Sequence, residues 1–337
     1  MSAKSKMNPV NFRKKVFDIR REPRPRGAWW WWFWLFFFNN PRNPKKPRQL
    51  MILWSSKNVK KISCNDLQIV LTHTDDRSNL DGAVAAWYYD GKKTHHNYVL
   101  EQCNLKITRT SLTSTSKTPT SFSTNGTQNT VKIGNDFEFV ADQVYDHEFA
   151  KPSYHGKNFV GKKGYNILKI NHQDLTGEVD GKKINGSAYF QRVFVNAPAV
   201  PWYWGIFHFD NGALLTYTNQ FFLGKSIKED ISFFDGKKIH SFKKIKVVRE
   251  GGEVPNFHVT GENDIETIKF TVNCYANSWW TFKKKSLGFI PNKLTYNEYP
   301  ATISNFIFKT NKTKKTLSQK ELGKAIGNAE HTVGYLF

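Results

Sequence analysis

Between Ala28 and Phe38 the chain reads Ala-Trp-Trp-Trp-Trp-Phe-Trp-Leu-Phe-Phe-Phe, eleven apolar residues without a charge. A bilayer-spanning helix needs about 20 such residues, so this run is too short to cross. A secretory leader is followed by small residues at its cleavage site, whereas Asn39-Asn40-Pro41 and a basic stretch to Arg48 follow here. Two forms remain. Indole rings favour the headgroup boundary, and Arg20 to Arg26 with Arg42 to Arg48 would flank an interfacial anchor with cations. The other form is a strand buried on both faces, paired through the proline-rich loop with the equally apolar Gln49–Trp54. Bulky rings are good strand formers, and the strand is preferred.

A chain that carries such a run needs a large interior to hide it. Of 337 residues, 39% are hydrophobic and 15% aromatic, which excludes global disorder. The length suits roughly two domains of ~150 residues. The net charge is +22, but residues 1–48 hold 13 Lys/Arg against Asp18 and Glu22, half of the surplus. A basic amino-terminal arm over residues 1–27 is expected. Residues 1–48 would meet solvent or an anionic membrane surface, with nucleic acid placed last. Cys64, Cys103 and Cys274 share no metal-type spacing, and their odd number closes no disulfide framework. The expected setting is reducing and cytoplasmic, with membrane association through the arm. No phosphate-cradling glycine loop, zinc-type His pair or nucleophile elbow occurs, so neither cofactor nor metal is expected.

The punctuation is that of an antiparallel β protein. Asp-Gly or Asn-Gly pairs occur at Asp81, Asp90, Asn125, Asp180, Asn185, Asn211 and Asp235, and such pairs supply the positive φ of tight hairpin turns. Alternating or apolar segments lie between them, among them Ala83–Tyr89, Tyr98–Thr108, Ala188–Val195 and Thr267–Tyr275. The best helical spacing is short, from Ser318 to Ala329, where Leu322, Ala325 and Ile326 share a face. Residues 109–130 are polar apart from Leu112 and Phe122 and read as a mobile loop or a long exposed hairpin. Asn196–Pro201 interrupts two strong strands. The expected domains are therefore 28–200, including the aromatic run and the polar loop, and 201–337 with the carboxy-terminal helix.

Trp202–Phe222 permits a geometric reading. With Asn211-Gly212 as a two-residue turn, His208 faces Leu215, Ile206 faces Tyr217 and Trp204 faces Asn219. One face then carries Trp202, Trp204, Ile206, His208, Tyr217 and Asn219, aromatic with a few polar handles. Such a face suits a lumen that holds an apolar guest, or equally a packed core with a satisfied histidine.

Two strings resemble the carotenoid hydratase (hydroxyneurosporene synthase) family and its lipocalin-like relatives. One is Ala86-Trp87-Tyr88-Tyr89-Asp90-Gly91. The other runs from Trp202 through Trp204, His208 and Asp210 to Gly212, followed by Leu214-Leu215-Thr216-Tyr217. The resemblance covers roughly residues 50–310. It implies an all-β protein of two consecutive antiparallel lipocalin-like β-barrels, with a hydrophobic isoprenoid or lipid ligand. In the hydratases it also implies addition of water across a carbon–carbon double bond. That reaction needs an acid able to protonate carbon and aromatic faces to steady the cation. On this reading His208, Asp210 and Tyr217 are the catalytic candidates, with Asp146-His147-Glu148 as a further acidic cluster. Trp87, Tyr89, Trp202, Trp204, Ile206 and Asn219 would contact the ligand. The chain departs from the family at Gln191 and Val193, where the pattern carries acidic residues.

Other constellations are plainer. His95 and His96 are adjacent, so on a strand they point to opposite faces and cannot share a metal. Trp279-Trp280 before Lys283-Lys284-Lys285 reads as a core-edge strand more readily than as a base-stacking platform. Beside the hydratase stand a non-enzymatic lipid carrier and a structural or nucleic-acid-associated β protein, such as a capsid subunit with a basic arm.

Overall fold

In the computed structural model, residues 3–19, 22, 24–71, 76–158, 163–286, 290–311 and 315–336 are described. Arg20 and Arg21 of the cationic flank lie outside them. The first elements are β1 (Ala3–Lys6), α1 (Pro9–Val16), β2 (Trp29–Phe38), β3 (Arg48–Lys57), β4 (Lys61–Cys64), β5 (Leu67–Val70), β6 (Asn79–Tyr89) and β7 (Thr94–Ile107). Then come β8 (Ser111–Ser114), β9 (Thr120–Thr124), β10 (Gln128–Ile133), β11 (Phe137–Gln143), β12 (Ser153–Asn158), β13 (Gly164–Val179) and β14 (Lys182–Asn196). The rest are β15 (Trp202–Phe209), β16 (Leu214–Phe222), β17 (Lys225–Phe234), β18 (Ile239–Phe242), β19 (Lys244–Glu250), β20 (Asn256–Glu262) and β21 (Glu266–Cys274). The chain ends with β22 (Ser278–Ser286), β23 (Ile290–Thr310), β24 (Lys315–Ser318), α2 (Gln319–Leu322) and β25 (Ala325–Gly334). The all-β class expected from the sequence is the class adopted. No described helix is long and apolar enough to cross a membrane.

The aromatic run is β2, a strand covered on both faces. It lies between β3 and β14, with Trp32 opposite Trp54 on one side and Arg192 on the other. Its neighbours continue through β6, β7, β8, β9, β10, β11 and β13, and β13 returns to β14, which closes a ten-stranded barrel. Period-two alternation turns Trp30, Trp32, Trp34, Phe36 and Phe38 inward. Trp29, Phe33, Leu35 and Phe37 turn outward and are buried as well. The interior is filled by rings: Trp34 stacks on Phe36 at 5.4 Å, and Phe36 on Phe139 at 4.2 Å. Phe122 meets Trp34 at 5.1 Å and Phe190 at 5.2 Å.

Much of the segment expected as a free basic arm plugs this barrel. β1 pairs with β12, and α1 starts at Pro9 after Asn8, whose Oδ1 accepts from the Asn11 amide at 2.9 Å. Phe12, Val16, Phe17 and Ile19 join the barrel core, while Arg13, Lys14 and Lys15 stay outside. The Trp32 indole donates to the Val16 carbonyl at 2.8 Å, and Glu22 pairs with buried Arg192 at 2.6 Å. Charge therefore decorates the plug, and apolar side chains hold it.

Five of the seven Asp/Asn-Gly pairs sit at turns, but Asp81-Gly82 and Asn185-Gly186 lie inside β6 and β14. There the glycine admits a close backbone. A Cβ on Gly186 would lie 1.9 Å from the Phe37 carbonyl oxygen. The polar stretch 109–130 is paired strand for most of its length and only partly exposed. It forms β8, β9 and the start of β10, with Leu112 and Phe122 buried and Thr120 Oγ1 accepting from the Trp54 indole at 2.7 Å.

The second sheet runs β18-β17-β16-β15-β25-β23-β21-β20-β19 and curls around Phe207, Phe233, Phe257, Phe270, Phe306 and Phe308. Its β22 also takes β4 and β5, a hairpin that leaves the first barrel between β3 and β6. The expected helix over 318–329 shrinks to the four residues of α2, ended at Gly323 with φ +79°. Ala325–Gly334 is the central strand β25 instead. Alternation explains it: Ala325 and Ala329 pack inward, while Ile326 and Glu330 turn to the other face.

Phe12→Ala should lower the unfolding free energy by about 3 kcal/mol, and Lys14→Ala by less than ~0.5 kcal/mol, in urea titrations. Equal small effects would show that α1 is not seated.

Candidate functional site

The outward face of the first barrel packs on the second sheet, and the seam holds Trp29, Phe33, Phe37, Trp87 and Tyr189 from one side and Ile206, Trp280 and Leu294 from the other. Within this apolar seam, β23 and β25 run antiparallel with Glu298 directly opposite Glu330. The two residues are 0% and 4% exposed. Each carboxylate is gripped by an indole. Trp87 Nε1 donates to Glu298 Oε2 and Trp202 Nε1 to Glu330 Oε2, both at 2.8 Å. The Tyr296 hydroxyl donates to Glu330 Oε1 at 2.6 Å. Its ring lies 5.7 Å from Trp202 and stacks on Trp280 at 6.1 Å.

No Lys or Arg among the described residues forms an ion pair with either acid. Burial, with no cation to offset it, pushes the Glu330 carboxyl up to about 7. Burial and then the neighbouring Glu330 charge hold Glu298 well above the usual carboxylate range. Like charges this close cannot both form cheaply, so at neutral pH the pair retains a proton. Glu298 Oε1 lies buried beside the Tyr296 phenol, with no carboxylate-pairing cation among the described residues. The arrangement is a buried pair of carboxyl groups held toward the protonated form and ringed by aromatic side chains.

Of the residues singled out from sequence, Trp87 and Trp202 hold the acids directly. Trp204 packs on Tyr189 at 5.3 Å, Ile206 is fully buried in the seam, and Tyr89 packs on Tyr275 at 5.3 Å. His208 lies further along the seam with both nitrogens engaged. Nε2 donates to the Asn171 carbonyl at 2.8 Å, so Nδ1 accepts from Ser187 Oγ at 2.7 Å. Burial pushes His208 well below the ordinary histidine range, and it stays neutral. Asp210 sits in the turn, where Oδ2 accepts from the Lys324 amide at 2.9 Å. Asp146, His147 and Glu148 form a loop in which Glu148 pairs with Lys151. Trp279 and Trp280 fall on opposite faces, with Trp280 in the seam and Trp279 against His96 at 4.3 Å.

Tyr217 and Asn219 do not share the face of His208. The hairpin loop is three residues, Asp210 to Gly212: the Phe209 amide donates to Ala213 O, and the Gly212 amide to Phe209 O, each at 3.0 Å. Gly212, at φ +83°, supplies the bulge residue of such a loop. His208 then pairs with Leu214, Gly205 with Tyr217 and Tyr203 with Asn219. A slip of one residue reverses faces, so Tyr217 packs in the core enclosed by the second sheet and Asn219 accepts from Ser226 Oγ at 2.8 Å. Gln191 lies on the seam and accepts from the Tyr189 hydroxyl at 3.1 Å.

Glu298 and Glu330 escaped the sequence reading. Their one signal was an acid inside a strand-like alternation, Leu294-Tyr296-Glu298 and Ile326-Asn328-Glu330. No family model and no curated protein matches the chain. Among solved structures it is similar to the NE1406 protein of Nitrosomonas europaea, described as a candidate AttH, with a TM-score of 0.54 and 12% identity over 92% of this chain and 93% of that one. It is also similar to CghA, with a TM-score of 0.48 and 8% identity over 99% and 98% of the two chains. The likeness to NE1406 is one of fold.

Unfolded, Glu330 titrates near 4.5; folded, it keeps its proton to about 7. The folded state binds more protons in that window, so stability falls as pH rises through it, and Glu298 extends the loss upward. Glu330→Gln should shrink the difference in unfolding free energy between pH 5 and pH 8 by on the order of 3 kcal/mol, read by urea titration at the two pH values. An unchanged difference would place the carboxyl in water.

Proposed function

We propose that the chain binds an apolar isoprenoid or lipid guest along the seam between its two β layers and adds water across one of the guest's carbon–carbon double bonds. The observation that carries the reading is the Glu298–Glu330 pair, a protonated buried acid lodged among indole and phenol rings. The protonated carboxyl gives its proton to one alkene carbon, leaving a cation on the other. Water then forms the new C–O bond and returns a proton to the carboxylate. In this reading the faces of Trp87, Trp202, Tyr296 and Trp280, which surround the acids, would steady the positive charge as it develops. The remaining carboxylate charge of the pair favours that cation too.

This assignment restores to the hydratase resemblance the acids that Gln191 and Val193 lack, on different strands. It replaces His208, Asp210 and Tyr217 as the proton donors and keeps Trp87, Trp202, Trp204 and Ile206 as the wall. The ring-filled interior of the first barrel and the packed core of the second sheet are what favour the seam as the guest site in this reading.

Purified protein incubated with acyclic carotenes in detergent should yield a product heavier by one water, with the oxygen drawn from labelled solvent. Glu298→Gln and Glu330→Gln should each cut the rate at least ~100-fold, whereas Asp210→Asn should leave it unchanged. Tryptophan quenching by the carotene with no hydrated product would leave a carrier. Steeply salt-dependent DNA binding without quenching would favour the structural alternative.

A further inference from the structure

A lysine closes β3 in a place that has no use for a solvated cation. Lys57 is 7% exposed and pairs across the ladder with Trp29, whose ring centre lies 4.1 Å from Nζ. It lines a cavity of about 40 Å³ between the barrel and the hairpin β4–β5, together with Ile62, Ile69, Leu71, Trp280 and Phe282. No carboxylate among the described residues lies within ion-pairing distance of its amine. A charge nearby on β22 is that of Lys284, of the same sign.

Burying an unpaired ammonium is costly, and one cation–π contact offsets only part of that cost. A lysine at a strand end has four methylenes with which to reach water, and this one does not use them. Desolvation, and then the Lys284 charge, lowers its amine to about 7. Apolar enclosure beside a second cation is the environment that turns lysine into a nucleophile. The thiol in the same cavity, Cys64, is pushed up to about 12 by burial and stays protonated.

We propose that Lys57 captures an apolar aldehyde as an imine within this cavity. The Nζ lone pair attacks the carbonyl carbon, the carbonyl oxygen takes up the displaced protons and departs as water, and a C=N bond remains. No electrons change hands, so no cofactor is required. The cavity takes the carbonyl head, with the chain along the wall of Ile62, Ile69 and Leu71, and the dry surroundings slow the imine's hydrolysis. Trp280 borders both this cavity and the Glu298–Glu330 pair, but the chemistry at Lys57 uses neither acid and does not rest on the hydratase reading.

The test uses the full chain with hexanal and sodium cyanoborohydride at pH 7, followed by intact mass and peptide mapping. One hexyl adduct should form first on Lys57, at least about tenfold faster than on any exposed lysine, because far more of its amine is neutral. Lys57→Met and Lys57→Arg should abolish the fast adduct, and Glu330→Gln should retain it. Peptide maps of the unmodified sequence decide the matter even if a variant folds poorly. Adducts spread evenly over surface lysines, with Lys57 unlabelled, would overturn the proposal.

Discussion

The structure depends on the double burial of β2. A strand that carries Trp, Phe and Leu on both faces cannot sit at a water-facing surface, so it needs a filled barrel behind it and a second layer in front. The inward rings require a wide, ten-stranded barrel packed with aromatics and plugged by α1. The outward rings require the second sheet to lie against the first, and this contact creates the seam. Each fully buried aromatic side chain contributes about 2–3 kcal/mol of transfer free energy, so the run also anchors the two layers to each other.

The same burial that stabilises the seam makes its ionisable groups chemically unusual. Glu298, Glu330 and Lys57 are all buried, and among the described residues no opposite charge pairs with any of the three. The acids are held toward the protonated form and the lysine toward the neutral amine, each by desolvation first. Where a partner is supplied, as for Arg192 with Glu22, burial instead closes a structural lock over the barrel's end. Functional promise and structural role are thus separated by the presence of a compensating charge.

Legibility followed the range of the interactions. The pairing of Trp29–Phe38 with Arg48–Lys57 could be read because apolar length and an intervening turn are local properties. The Trp202–Phe209 strand was legible, but its partner's register was not, since Gly212 serves a two-residue turn or a three-residue bulged loop equally well. Ser318–Ala329 looked helical because Leu322, Ala325 and Ile326 fit either period, and only the pairing of β25 with β15 and β23 settled it. The basic residues of α1 masked Phe12 and Val16, whose burial depends on a barrel mouth that no local pattern announces.

By itself, the amino-acid order determined a β-rich protein with a large interior, tight glycine turns and an aromatic strand that had to be enclosed. It also singled out Trp87 and Trp202, whose indoles meet the buried acids, because indole in a strand is a local sign of a covered face. Only the tertiary structure decided which acids those indoles would meet. A carboxyl's proton affinity depends on the dielectric and charges around it, and those are set by strands brought together from distant parts of the chain.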